Sequence, residues 1–440
     1  MSKRSQALIM FLVGLGAMTK VVLVGSIAIS EIFIFVCAPF IALKDFKNLR
    51  RDGFMPVLAL LALTMCGCVV ATLVNHAPLF RSVKVLAQYY AFFAIIVVSR
   101  RLLSRDPASL KWFLFGAFIS GLITIFAFNT TIHGSSTGMV TLEESTAAEV
   151  VNGPLFWMFQ LQNALNALVG GFYFKTPYLL SVVAPIGAIV ITALTGISGR
   201  AFSLCLLATW GLLVYCGKSI KRMQSVSKHF IVVGLVGVAV LICFKSCYSY
   251  LAKNGVLGDE ARIKYFAQTK SGDSMLRLLM SGRVEFFIGM RAAIDKPILG
   301  YGVLPRDTKG YIQEFYTKYG DEQDLRNYMQ SLLRNGSYVE HVIPTHSYLA
   351  GSWVFCGIFG LVLWFYVLWL CYMLFRKWIA AIPEWFGYFS MGIPILVWDI
   401  FFSPITNRML PAFMITALIL AKAVHERRVI LPLDMSDVKP

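Results

Sequence analysis

The chain alternates long apolar runs with short polar connections over much of its 440 residues. Each run approaches the ~20 residues that an α-helix needs to cross the hydrocarbon core of a bilayer. Eleven runs are clear, and a weaker run at 154–171 completes the set. The pattern predicts an all-α polytopic membrane protein with about 12 transmembrane helices. The runs are 5–22, 24–43, 54–75, 82–99, 112–130, 154–171, 178–195, 200–217, 229–246, 347–375, 385–403 and 408–424.

Composition supports a membrane protein over a soluble one. Hydrophobic residues make up 58% of the chain, charged residues only 14%, and the mean hydropathy is +0.69. Soluble domains carry about 25% charged residues. The net charge of +17 comes largely from short basic connections, which suit contact with anionic lipid. Membrane lipid is therefore the expected partner of this charge, and nucleic acid is not.

The short basic connections predict the orientation of the chain, because such segments favour the cytoplasm. They lie at 44–51, 99–105, 217–228, 376–378 and 425–428, and all five share one side only if 154–171 crosses the membrane. Both termini are then cytoplasmic, and 247–345 lies on the outer side. The predicted organisation is helices 1–9 in 1–246, an outer helical loop region in 247–345, helices 10–12 in 346–424 and a cytoplasmic tail in 425–440.

Two outer arginines close the same tripeptide, Ser-Gly-Arg, directly before helix-like runs. They are Arg200 and Arg283. Free backbone N–H groups at a helix start, together with a guanidinium, suit a phosphate. The alternative is an arginine that snorkels to the lipid headgroups, which is common at helix ends.

Two further cations, Arg81 and Lys84, lie three residues apart at the predicted outer start of the fourth span. Residues at this spacing share one side of a helix. They are candidates for the same anion site, although contact with headgroups is the simpler role.

The sequence at 344–360 places His346 where a charged loop gives way to an apolar run. Pro344 and Thr345 are typical of a helix start, with Thr345 as the expected N-cap. A neutral imidazole at such a position could act as a general base. His341, five residues earlier, is the other candidate for the base. The alternative for both histidines is a structural role without catalysis.

Two segments together resemble the O-antigen ligase and polymerase superfamily. "SGRVEFFIGMRAAIDKPILGYGV" at 281–303 has an arginine opening an amphipathic helix and a P-x-x-G-x-G turn. "PTHSYLAGSWVFCGIFG" at 344–360 has the histidine followed by Tyr-Leu and Gly-x-x-Gly, and "TGISGRAFSL" at 195–204 is similar to the family's outer arginine. Many members carry Asn after the histidine, where this chain has Ser347.

The resemblance implies a GT-C-like glycosyltransferase of the bacterial inner membrane with a periplasmic active site. Such enzymes move a glycan from undecaprenyl diphosphate to an acceptor. By this resemblance the protein is an O-antigen ligase that acts on lipid A core, and the length near 440 residues favours that acceptor. His346 would be the base, while Arg200 and Arg283, with Arg81 and Lys84, would bind the diphosphate.

The expected reaction inverts the anomeric centre and needs no cofactor or metal. The acidic cluster "DEQD" at 321–324 is expected to be a solvated face. Arg291, His341 and Asp399 are supporting candidates, and Asp399 is expected to orient Arg408 or another cation of the site. An O-antigen polymerase and a protein O-oligosaccharyltransferase remain open, as does a transporter, which would carry ionisable groups on broken helices.

Overall fold

The computed structural model describes residues 2–18, 20–22, 26–77, 79–127, 284–319, 342–345, 347–378, 381–382, 385–403, 405 and 408–434, and short pieces between 246 and 266. The described chain is mostly helical. Its helices are α1 (Lys3–Met18), α2 (Ile29–Lys44), α3 (Phe46–Arg51), α4 (Met55–Val74), α5 (Leu79–Leu103), α6 (Leu110–Ala127), α7 (Val284–Asp295), α8 (Tyr311–Tyr319), α9 (Tyr348–Cys356), α10 (Ile358–Met373), α11 (Phe386–Phe402) and α12 (Met409–Asp434).

Four of these helical segments are long and apolar enough to cross a membrane. They are Met55–Val74, Val85–Leu103, Ile358–Trp378 and Met409–Arg427. This finding supports the predicted helical membrane protein. The number of twelve spans stays a prediction. Four of the predicted spans, between 154 and 246, fall almost entirely outside the described residues, and the helices at 5–22, 24–43, 112–130 and 385–403 are not among the four candidates. The helix of the last span also continues to Asp434, ten residues past its predicted end.

A short β-hairpin joins α1 to α2, where the sequence predicted helix up to residue 22. Strands β1 (Lys20–Val22) and β2 (Ser26–Ala28) pair antiparallel, with Lys20 opposite Ala28. The sequence here is rich in valine, whose branched side chain favours strands over helices. The predicted first helix therefore ends before this connection, while the described chain remains mostly helical.

The predicted tenth span, 347–375, is not one helix. It is broken at Gly357, whose φ of 62° and ψ of −146° lie outside the helical region. Helix α9 ends before this glycine and α10 begins after it. Glycine can hold a positive φ without the steric cost of a Cβ atom, so an apolar run alone did not reveal the break.

A buried ionic cluster joins several basic connections at one end of the bundle, here called the basic end. Arg100 Nε donates to Asp52 Oδ2 at 3.0 Å, and the other Asp52 oxygen accepts from Arg427. Arg101 Nη1 donates to Asp45 at 3.0 Å. These contacts bring three of the five basic connections together, at 44–52, at the end of α5 and in α12, and the side of the membrane on which they lie stays a prediction.

The opposite end, here called the loop end, is formed where 296–303 meets the end of α4. Lys296 Nζ donates to Asn75 Oδ1 at 2.7 Å. We expect a cysteine in place of exposed Lys309 to react with a membrane-impermeant maleimide added outside intact cells. A cysteine in place of exposed Lys47, near the basic end, should react only after permeabilisation. The parent protein gives the background of the native cysteines, and the opposite pattern would reverse the proposed orientation.

Candidate functional site

The turn at 297–301 closes the helix break at Gly357. Tyr301 N donates to the Val354 carbonyl at 2.7 Å, and Ile358 N donates to the Ile298 carbonyl at 3.0 Å. The first bond occupies a carbonyl that α9 leaves open at its end, and the second occupies an N–H at the start of α10. The two segments that carry the family resemblance are therefore joined by backbone hydrogen bonds.

Two glycines of this turn allow the close approach. Gly300 has a φ of 74°, and a Cβ atom there would lie 2.6 Å from the Val354 carbonyl oxygen. Gly302 has a φ of 80°, and its Cβ would lie 2.9 Å from Thr72 Cα. The P-x-x-G-x-G pattern thus has a structural reason, because its glycines meet backbone of α9 and α4.

Gly300→Ala should destabilise the protein more than Gly310→Ala. Gly310 has a similar φ of 73°, but its Cβ would meet nothing closer than 3.9 Å. Gly310→Ala, the control, should lower the free energy of unfolding by about 1 kcal/mol, because alanine fits a left-handed backbone less well than glycine does. Gly300→Ala should lower the free energy of unfolding by roughly 1–3 kcal/mol more, because the backbone at Val354 must move to make room for the Cβ atom. Thermal unfolding in detergent measures both, and equal losses would show that the turn is not tightly packed on α9.

Ser347, not Thr345, caps the start of α9. Its φ of −157° and ψ of 139° are extended, and its Oγ accepts from Ala350 N at 3.0 Å. The same hydroxyl donates to the Ile400 carbonyl of α11 at 2.9 Å. Both residue types are good caps, so sequence placed the helix start two residues too early. Ser347 therefore holds α9 against α11.

The beginning of α7 also lies against the end of α11. The Phe286 ring centroid lies 5.5 Å from that of Phe402 and 6.4 Å from that of Phe401. Gly289, one turn further along α7, lies beside Pro344, where a Cβ atom would be 3.1 Å from the carbonyl oxygen. The first turns of α7 and α9 therefore converge on the same end of α11.

Four predicted site residues lie outside the described residues: Arg200, Arg283, His341 and His346. Arg283 directly precedes Val284, where α7 begins, and His346 directly precedes the capping Ser347. The structure thus describes the helices that follow both residues, and the roles of their side chains stay predictions.

Arg81 and Lys84 lie near the start of α5, as predicted, although their side chains are outside the described set. Gln88, one turn after Lys84, donates from Nε2 to the Ile405 carbonyl at 3.3 Å. This bond ties the part of α5 near its start to the connection between α11 and α12. The start of α5 is therefore at the same end of the bundle as α9 and the end of α11.

Arg291 takes part in an ion-pair cluster between α7 and α8. Its guanidinium contacts Asp295, and its Nε lies 3.4 Å from Glu314 Oε1. Hydrogen bonds from Tyr311, Lys309 and Arg291 lower the pKa of Asp295 to about 2. Burial raises the pKa of Tyr311, so its hydroxyl stays a donor to Asp295. The carboxylates of Asp295 and Glu314 neutralise the charge of Arg291, which favours a structural role for this arginine.

Arg408 binds a carboxylate that sequence analysis did not single out, Glu31. The fork is parallel, with Nε 3.0 Å from Oε1 and Nη2 2.8 Å from Oε2. Glu31 is 2% exposed and Arg408 7% exposed. The partner expected for Arg408 was Asp399, a half-buried residue of α11. One signal was available, since Glu31 is the sole charged residue of the run 24–43, and buried charges need partners.

This ion pair lies near the start of α9. Tyr348 is close enough to both Arg408 and Asp399 to respond to their charges. Because Glu31 neutralises Arg408, the ion pair adds no net charge to the end of the bundle where α9 begins.

Metal binding and similarity to known proteins give little further constraint. Within the described residues, no group of three or more His, Cys, Asp or Glu side chains could hold a metal ion. The cluster at 321–324 lies outside them. The chain matches no protein-family model and no curated protein. The family resemblance therefore depends on the motifs and on the contacts between the segments that carry them.

Proposed function

We propose that the protein is an O-antigen ligase, which transfers a glycan from undecaprenyl diphosphate to the lipid A core oligosaccharide. The observation that supports this most is the contact between the two motif segments. The first turns of α7 and α9 meet the same end of α11, and Tyr301 and Ile298 join the segments through backbone hydrogen bonds. Within these segments, Arg283 directly precedes α7 and His346 directly precedes Ser347, the cap of α9.

In the proposed reaction, Arg200 and Arg283 bind the diphosphate, and Arg81 and Lys84 extend the cationic site. Cations placed where charge develops on a leaving group stabilise the transition state. His346 accepts the proton of the acceptor hydroxyl, whose oxygen attacks the anomeric carbon as the bond to the diphosphate breaks. A single displacement of this kind inverts the anomeric centre. The arginines supply the positive charge, so the reaction proceeds without a metal or cofactor.

We place this site at the periplasmic face of a bacterial inner membrane, with both termini in the cytoplasm. The basic end carries the connections that the positive-inside rule assigns to the cytoplasm. The loop end, where α9 begins, is then periplasmic. Undecaprenyl-linked glycan and lipid A core both reach an enzyme from the membrane at that face.

A transporter is the non-enzyme alternative, and the break at Gly357 is the feature that it would use. In transporters, unwound backbone at such a break faces a substrate or ion site. Here the carbonyl of Val354 and the N–H of Ile358 bond to the turn at 298–301 instead. A filled break favours the enzyme. Polymerase and protein-modifying activities use the same donor, so the acceptor distinguishes them.

The proposed function is tested by transfer in vitro with purified protein in nanodiscs. The donor is an undecaprenyl-diphosphate glycan, and the three acceptors are lipid A core, a second lipid-linked glycan and a pilin protein. A gel shift of the core alone supports the ligase. Transfer to one of the other acceptors alone would assign that activity instead, and transfer to none would refute the glycosyltransferase.

Arg283→Lys should lose nearly as much transfer activity as Arg283→Ala. Lysine keeps the charge but lacks the planar fork that binds two phosphate oxygens at once. Lys309→Ala, which removes an exposed cation from the same outer region, is the control and should remain active. Full transfer by Arg283→Lys would reduce Arg283 to a general electrostatic anchor.

A further inference from the structure

The segment 294–299 carries an exposed apolar surface at the loop end. Ile294 is 57% exposed, Ile298 69% and Leu299 40%. Three large apolar side chains in six residues are unusual for a surface that faces water. These apolar side chains cannot form hydrogen bonds, so an apolar environment suits them better than water does.

The backbone of this segment is also bonded within the protein. The Lys296 carbonyl accepts from Gly300 N at 3.0 Å, and the Pro297 carbonyl accepts from Trp353 Nε1 at 3.0 Å. The Ile298 carbonyl accepts from Ile358 N. Irregular backbone at membrane depth requires such internal partners, because hydrocarbon offers none. A loop in water has no comparable requirement.

The apolar surface continues into membrane-spanning helices. The Ile298 carbonyl is bonded to Ile358, the first residue of the span Ile358–Trp378. Ile358 itself is 39% exposed, and Val74, at the end of α4, is 56% exposed. Asn75, directly after α4, donates to the Gly300 carbonyl at 3.3 Å. The segment therefore lies beside two candidate membrane-spanning helices that also expose apolar residues.

The position of Ile298 along the bundle follows from its neighbours. The break beside Ile298 lies next to Gly67, where a Cβ atom would be 3.0 Å from the Cys356 carbonyl oxygen. Helix α4 continues from Gly67 to Val74. At 1.5 Å per residue this is roughly 10 Å of helix further toward the loop end. Ile298 is bonded to this break, and the Gly300 carbonyl accepts from Asn75, so the segment lies beside the last turns of the candidate span Met55–Val74.

The two charged residues within the segment, Asp295 and Lys296, both have partners in the protein. Lys296 Nζ reaches Asn75 and lies 4.6 Å from the ring centroid of Tyr301. A lysine that snorkels toward an aromatic ring is typical of the membrane interface. The ion pairs of Arg291 and Asp295 lie between α7 and α8 and mark the water-facing part of the same region.

We propose that 294–299 is a membrane-inserted wedge, whose Ile294, Ile298 and Leu299 side chains contact the acyl chains of the leaflet at the loop end. This holds whether or not the protein transfers glycans. If it does, the wedge puts the turn that bonds α9 in direct contact with lipid, next to the path by which a lipid-linked donor would enter.

The test places a fluorescent amino acid at Ile298, at Leu299 or at exposed Gln313 of α8, each in full-length protein in phosphatidylethanolamine–phosphatidylglycerol nanodiscs. Phosphatidylcholine with a doxyl group on its acyl chain should quench the first two probes at least about twofold more than the third. Iodide in the buffer should show the reverse order. Agreement of the Ile298 and Leu299 probes guards against local disruption by either one.

Any other order overturns the wedge. Equal acyl-chain quenching at all three positions would mean that the whole region lies at the interface without insertion. Stronger iodide quenching at Ile298 than at Gln313 would place the segment in water. Because this experiment uses no glycan, its failure is separate from a failure of the proposed transfer reaction.

Discussion

His346→Ala should lower the transfer rate by about 10²- to 10⁴-fold, the usual contribution of a general base. The acceptor hydroxyl is a weak nucleophile until its proton is taken, and no other imidazole precedes α9 so closely in sequence. Binding of the undecaprenyl-diphosphate donor should be retained, because arginines hold the diphosphate. Transfer in nanodiscs and binding of the labelled donor measure the two effects separately.

His341→Ala is the matched control and should cost far less. EDTA should leave the rate of the parent protein unchanged, because the proposed chemistry uses no metal. Full activity of the His346 variant would exclude it as the base. Loss of donor binding in that variant would instead assign His346 to the diphosphate site.

Arg408→Met should lower the free energy of unfolding by roughly 3–5 kcal/mol, since it leaves Glu31 as an unpaired buried charge. The double variant Glu31→Leu/Arg408→Met should recover much of this loss, because an apolar pair needs no charge partner. Thermal unfolding of the single and double variants in one detergent measures both effects. The design separates the cost of an isolated charge from the value of the pair.

A double variant as unstable as Arg408→Met alone would show that the pair contributes more than neutralisation. A single variant as stable as the parent would show that Glu31 finds another partner or is neutral. The pair Lys422–Glu426, 3.9 Å apart on α12, provides the comparison, with Glu426 exposed and Lys422 partly buried. Lys422→Met should cost at most about 1 kcal/mol, because the remaining Glu426 carboxylate keeps its contact with water.

Sequence predicted the helices better than their interruptions and contacts. An apolar run of span length is a local signal, and the candidate spans at 55–74, 85–103, 358–378 and 409–427 follow from it. The break at Gly357 has no such signal, because glycine is also a normal residue of membrane helices. Only the approach of Ile298 shows why a positive φ is needed there.

Part of the candidate site was predictable for the same reason. The motifs identified the starts of two helices, and the glycines Gly300 and Gly302 indicated a tight turn. The cap of α9 depended on a contact with Ile400, which no sequence spacing contains. Likewise, Glu31 and Arg408 are 377 positions apart, so their pairing is a property of the folded bundle.

Helix α12 is held to the N-terminal part of the chain at both of its ends, and the distance between these two anchors is therefore fixed. Arg408 is bound by Glu31 at the loop end, while Arg427 is bound by Asp52 at the basic end. The arginines are 19 positions apart, which corresponds to about 28 Å along a helix axis, close to the thickness of a bilayer's hydrocarbon core. With both ends anchored, α12 cannot slide along its axis to suit a thicker or thinner membrane. Lipids around it must therefore stretch or compress to match the protein, so the bundle should prefer bilayers of one thickness.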